Sequence, residues 1–197
     1  MDKVSSGDIP LEIREWSMLS KKYLNVSLYE YLWYFVIYAF MGWILEETYI
    51  LMAFGVFVKR GFLHSPIGPI YGFGMLIVIM ALSPIKERFI PLFTGAVLLT
   101  SALEYSSGFV LQYLFNQRWW DYTGTSFNLN GYISLKSSLA WGLICVLIVR
   151  TIHPRIKNFV VKITHKRGNR FLIATYGIIA IDLLATLATL LLNSKIP

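Results

Sequence analysis

Four carboxylates lie inside hydrophobic runs of this chain: Glu46, Glu47, Glu104 and Asp182. An acid at the centre of a membrane helix costs on the order of 3 kcal/mol, so such residues normally face a bundle interior or a water-filled cavity. There they bind cations or relay protons. The structural alternative is a protonated or hydrogen-bonded acid that joins two helices. Residues three and four apart share a helical face. Around Glu104 that face carries Thr100, Ser101, Ser107 and Gly108, and around Glu46 it carries Gly42, Trp43 and Tyr49. These two stripes are expected to meet inside a bundle. Glu47 is rotated by about 100° from Glu46 and cannot share its environment fully, so one of the two is expected to reach a neighbouring helix or a loop cation such as Arg118. Asp182 has Ala185 and Thr186 beside it but Ile178 and Ile179 on its other side, and it ranks below Glu46 and Glu104.

Two further segments are dense in polar and aromatic residues. KRGFLHSPIGPIYGFG, at 59–74, holds Arg60 and Tyr71 and is broken by Pro66 and Pro69. Its Gly68 and Gly72 have the spacing of a close helix contact in membranes. RWWDYTGTSFNLNGYISL, at 118–135, is longer and more aromatic than a plain connector requires. Trp119, Trp120, Tyr122 and Phe127 suit the headgroup level. Asp121, Asn128 and Asn130 can satisfy exposed backbone or hold Arg60 or Arg118. The segment is expected to act as a lid or re-entrant cap over a polar cavity, the alternative being an aromatic girdle. The candidate substrate- or ion-binding set is therefore Glu46, Glu47, Glu104, Arg60, Tyr71, Trp119, Trp120, Asp121, Asn128 and Asn130. His64 reads as an interfacial histidine. As a metal ligand it would need Glu46, Glu47, Glu104 or Asp121, so no metal and no cofactor are expected.

The elements that position these residues follow from composition. Of 197 residues, 56% are hydrophobic and only 15% charged, against about 25% charged in soluble domains. Mean hydropathy is +0.57. The chain reads as an all-α integral membrane protein. Five runs, at 30–57, 67–83, 89–115, 135–152 and 171–193, approach the roughly 20 residues that a span requires, the second being short. Tyr29, Tyr31, Trp33 and Tyr34 at the start of the first look like an aromatic belt. Residues 1–26 form a cytoplasmic segment with a weak amphipathic pattern at 9–24, and 27–197 form one membrane domain. No secretory signal pattern precedes the first run. Cys145 is a lone cysteine in an apolar run, so no internal disulfide forms. RIKNFVVKITHK, at 155–166, has Ile156, Phe159, Val160 and Ile163 at helical spacing with cations opposite. That pattern suits a basic amphipathic helix on an anionic leaflet.

The net charge of +7 points to cytoplasmic loops and anionic lipid rather than to nucleic acid. Placing the 153–170 connector in the cytoplasm puts thirteen of the eighteen lysines and arginines there. The N-terminus is then inside and the C-terminus outside. In this topology Glu46, Glu104 and both unusual segments gather in the outer half of the membrane.

The motifs Gly42-Trp43-Ile44-Leu45-Glu46-Glu47, the 60–74 segment, Glu104-Tyr105, residues 119–122, residues 127–131 and Trp141-Gly142 occur in an order that resembles the CmpB-type family. This is a family of small bacterial membrane proteins described as ABC-transporter permeases. The resemblance covers about residues 35–150 and leaves Asp182 and the fifth run outside it. It implies a transport role in a bacterial inner membrane. The chain has no GxxxxGK[ST] motif, so a separate cytoplasmic ATPase would have to dock. The surface for it is the 155–166 segment, with Arg155, Lys157, Lys162 and Lys166. Membrane lipid is the other expected partner. An alternative is an intramembrane enzyme or lipid-binding protein acting on a lipid-linked substrate at the outer leaflet, with Glu46 and Glu104 as acid and base and Arg60 and Arg118 on a phosphate. The absence of HExxH, of GxSxG and of a histidine pair with metal spacing points away from an enzyme.

Overall fold

In the computed structural model, residues 26–56, 62–163 and 165–193 are described. The pattern expected at 9–24, Lys59 and Arg60 lie outside the described residues. The first helix, α1 (Leu28–Phe54), starts at a capping box in which Ser27 and Glu30 satisfy each other's backbone N–H, and it stops at Gly55 in the left-handed conformation. Helix α2 (Pro69–Leu82) opens on a proline, whose missing N–H is harmless at a helix start, and runs into a 3-10 turn at Ser83–Ile85. Helix α3 (Phe89–Phe115) ends at Asn116, also left-handed. A two-stranded hairpin, β1 (Asn128–Leu129) with β2 (Ile133–Ser134), follows. It leads into α4 (Leu135–Leu147), a π-helical turn (Ile148–Ile152) and α5 (His153–Val161) as one uninterrupted helix. The last helix is α6 (His165–Asn193).

Among the described residues, four helical stretches are long and apolar enough to cross a membrane: Leu28–Met52, Phe89–Phe115, Leu135–Val161 and His165–Leu190. The second expected span is the short one. The 14 residues of α2 reach only about 21 Å, against a hydrocarbon core of about 30 Å. Proline chemistry at both ends bounds it. The outward faces are apolar, as lipid requires: Ile90, Ile173 and Ile181 are all exposed.

The structure differs from the sequence reading at two further places. Trp33 and Tyr34 are buried instead of forming a lipid-facing belt. Helix α6 covers Trp33, with Phe171 stacked on it at 5.1 Å and His165 4.3 Å from the Tyr29 ring, and His153 of α5 meets Tyr34 edge-on at 5.0 Å. The basic amphipathic segment is not a separate surface helix either. Its first part continues the fourth span, and Val160 is completely buried in a cluster with Tyr34, Ala39 and Leu172. The bundle takes Val160, while Phe159 on the same segment stays exposed.

Close approach joins α1 to α2. The Gly68 N–H donates to the Ala39 carbonyl at 3.0 Å, Gly72 lies against Phe35, and the Tyr71 ring fills the space above Gly42. A second core joins α2, α3 and α4 through Val78, Leu82, Leu92, Ala96, Cys145 and Val149. Among the described residues, one end of the bundle collects Glu46, Glu47, residues 62–71, Glu104, residues 116–134 and Asp182. The other collects Lys86, Arg88, Arg155, Lys157, Lys162 and the start of α6. These are called below the acidic and the basic end.

Candidate functional site

At the acidic end two tyrosines bring the carboxylates of α1 and α3 together. Tyr71 of α2 donates its hydroxyl to Glu46 Oε2 at 2.8 Å, and Tyr122 of the long loop donates to Glu104 Oε1 at 2.8 Å. Tyr71 also lies within electrostatic range of both Tyr122 and Glu104, and Trp141 of α4 closes the group with its ring 5.7 Å from that of Tyr71. The site is thus built from α1, α2, α3, α4 and the loop. Glu104 Oε2 is buried and makes no hydrogen bond of good geometry among the described residues, although the Trp141 side chain lies close enough to interact with this carboxylate. A carboxylate with one oxygen held and one left over is arranged to take a proton or a cationic group. Tyr122 lies outside the spans. Burial, and then the neighbouring Glu104 carboxylate, push its phenol above the ordinary range, so it remains a donor throughout the physiological range. Glu47 is buried on the adjacent face of α1.

Tyr122 is the loop residue that reaches the acids, and the sequence reading put it at headgroup level. The two tryptophans beside it pack. The Trp120 indole donates to the Tyr132 carbonyl at 2.9 Å, with both rings closing over Gly108. Trp119 sits against Phe62 and Phe115. The polar residues order the loop. Asn130 and Gly131, with φ of 52° and 73°, make the tight turn that an Asn-Gly pair favours. Asn128 donates to the Thr125 carbonyl at 2.8 Å and accepts from the Gly131 N–H at 3.1 Å. Asn130 donates to the Tyr105 hydroxyl at 3.0 Å.

The expected pair of Arg118 with Asp121 is present at 3.2 Å. Arg118 also donates to Gln112 at 2.8 Å and lies 5.2 Å above the Tyr132 ring. The backbone N–H of Thr123, and then the Arg118 guanidinium, hold the Asp121 carboxyl below the usual carboxylate range. A depressed carboxyl pKa contributes stability above its unfolded value of about 3.9 and loses it as pH falls through the folded value. The contribution of Asp121 to the loop's order is therefore expected to persist from neutral pH down to about pH 4, and to fade only below that. Tryptophan fluorescence of Trp119 and Trp120 against pH checks this: Asp121→Asn is expected to remove the acid transition, and an unchanged acid transition in that variant would contradict it.

Asp182 has a larger structural part than its sequence rank implies. Its Oδ1 accepts the His64 backbone N–H at 3.0 Å and lies 2.9 Å from His64 Nδ1, while its Oδ2 accepts the Ser65 N–H at 2.6 Å. One α6 side chain therefore caps the turn that precedes α2. Asp182→Ala leaves two backbone donors without this acceptor, and a loss of about 1–3 kcal/mol is expected. A lower melting temperature in detergent, with Asp182→Asn intermediate, is the readout.

An open cleft of about 570 Å³ is lined by Tyr105, Phe109, Arg118, Thr123, Asn128, Asn130 and Tyr132. A second, of about 250 Å³, lies between residues 62–64, Gln117 and Trp119 of the loop, and Thr186, Thr189 and Leu190 of α6. Neither is lined by Glu46 or Glu104. No group of three or more His, Cys, Asp and Glu with metal-holding geometry occurs among the described residues. At the basic end, Arg155, Lys162 and Lys166 are exposed and Lys157 is half-buried.

No curated protein and no solved structure matches the chain. A family model does, over residues 33–187. The match extends well past the 35–150 range of the sequence resemblance and takes in Asp182 and most of α6, so the clasp on His64 lies inside the shared region. The chain is a helical membrane protein and belongs to the family described as "Putative ABC-transporter type IV".

Proposed function

We propose that this chain is a permease-like membrane subunit of a transport system, whose polar intramembrane site opens toward the outer face. The observation that carries the reading is the meeting of Glu46 and Glu104, from two different membrane helices, through Tyr71 and Tyr122. Acids at such depth are retained where a cation, a proton or a cationic substrate group must be bound. Arg118 and the hairpin lie above this site as its cap. The family description supports the transport context. With the basic end in the cytoplasm, the positive-inside rule is satisfied, the N-terminus is inside and the C-terminus outside.

A separate ATPase docks at the basic end, on Arg155, Lys157, Lys162 and Lys166. The decisive experiment is purification of the full chain in nanodiscs with mass spectrometry of what accompanies it. A stoichiometric ATPase, lost when Arg155 and Lys162 are both changed to Glu, supports the reading. Retention of a lipid-linked molecule without an ATPase moves the assignment to an enzyme or lipid-binding protein at the outer leaflet. Orientation is checked separately. A cysteine introduced at the exposed Thr125 is expected to react with an impermeant reagent on intact cells, and one at Asn158 is not. The reverse labelling pattern inverts the topology.

A further inference from the structure

The cleft between α6, residues 62–64 and the start of the aromatic loop contains chemistry that the transport site does not use. His64 Nδ1 lies 2.9 Å from Asp182 Oδ1, with Thr186 Oγ1 3.0 Å from the same nitrogen. A carboxylate has no proton to give, so in a neutral imidazole Nδ1 carries the hydrogen and Nε2 is the acceptor. The Asp182 side chain is only 10% exposed whereas that of His64 is 60% exposed. The acid is thus the anchor, and the imidazole is presented to the cleft. Its other polar walls are the Gln117 amide and the Thr186 and Thr189 hydroxyls, and its apolar walls are Phe62, Trp119 and Leu190.

We propose that this cleft binds a polyol headgroup of a lipid in the leaflet at the acidic end. Among the described residues no lysine or arginine lines it, and the carboxylate of Asp182 lies behind it, an unfavourable neighbour for a bare phosphate. An oriented imidazole acceptor, the Gln117 amide and the acceptor oxygen of Thr189, whose proton goes to the Ala185 carbonyl, match a group that both donates and accepts through several hydroxyls. Phe62 and Trp119, whose ring centroids are 5.8 Å apart, offer faces for the carbon skeleton. Leu190 and the outer surface of α6 lie alongside the acyl chains. The inference is independent of the transport reading, because it uses neither Glu46 nor Glu104.

Native mass spectrometry of the full chain released from nanodiscs tests it. The discs contain equal phosphatidylglycerol and phosphatidic acid in phosphatidylcholine. The first two lipids are both anionic, and only phosphatidylglycerol carries a glycerol headgroup. Preferential retention of phosphatidylglycerol by roughly threefold to tenfold is expected, the equivalent of about one net hydrogen bond. His64→Ala is expected to abolish the preference. Gln117→Leu, which leaves the Asp182 contacts untouched and so guards against a folding artefact, is expected to reduce it. Equal or greater retention of phosphatidic acid would show phosphate recognition and overturn the proposal. So would retention of phosphatidylglycerol at the level of phosphatidylcholine, or an unchanged preference in both variants.

Discussion

Glu104→Gln is expected to abolish the protein's activity while the chain still inserts and folds. The amide keeps the volume of the acid, and its oxygen can still accept from Tyr122, whose hydroxyl lies 2.8 Å from Glu104 Oε1. Membrane insertion becomes easier, since a carboxylate in a span costs on the order of 3 kcal/mol. What disappears is the capacity to take up a proton or balance a positive charge at the buried Oε2, which makes no hydrogen bond of good geometry among the described residues. A positioned acid or base is typically worth 10²–10⁴-fold, so a loss of about a hundredfold is expected. Complementation of a strain lacking the gene, beside membrane-fraction immunoblots, gives both readouts. Wild-type activity in Glu104→Gln would remove the carboxylate pair from the mechanism. Tyr122→Phe keeps both acids and loses one hydrogen bond, so a smaller deficit is expected.

Gly72→Ala is expected to be strongly destabilising, as is Gly42→Ala, where the base of the Tyr71 side chain stands closer still. A Cβ at Gly72 would stand 2.7 and 2.8 Å from two carbons of the Phe35 ring and 3.0 Å from the Phe35 carbonyl oxygen. The ring has little room to yield. It is buried, and it packs on Phe73 at 4.7 Å and on Tyr176 at 5.9 Å. The carbonyl belongs to the α1 backbone, so α2 itself would have to move away. Overpacking of this kind costs about 1–3 kcal/mol. Because Tyr71 precedes Gly72 on α2, a shifted helix also carries the Tyr71 hydroxyl away from Glu46. Loss of activity together with a lower melting temperature is the expected combination. A stable Gly72→Ala protein with full activity would show that α1 and α2 do not need this close approach.

Much of the candidate site could be read before the fold was known, for reasons local to the chain. Glu46 and Glu104 stand out because charge in an apolar run is expensive, and their polar neighbours follow from the helical repeat. The Arg118–Asp121 pair is three residues apart. Tyr122 and Asp182 were harder to place. A tyrosine next to two tryptophans looks like any interfacial aromatic, and only the path of the hairpin turns it inward to Glu104. Asp182 sits beside isoleucines, and its partners His64 and Ser65 are 118 and 117 residues away in sequence.

The sequence by itself determined that this is a helical membrane protein, roughly where its long helices lie, and that acids inside apolar runs need partners. Hydrophobicity accumulates residue by residue, and the helical period ties each position to its own neighbours, so both properties need no partner to be defined. Tertiary structure decided which tyrosine meets which carboxylate. It also decided that Trp33 is covered by α6 and Tyr34 by His153 of α5, that the fourth span continues through a π-helical turn into the basic segment, and that Asp182 holds the turn before α2. These outcomes depend on how helices rotate and how closely they approach. Both are set at contact points such as Gly42, Gly68 and Gly72, where the absence of a side chain lets a ring or a backbone from another helix come in.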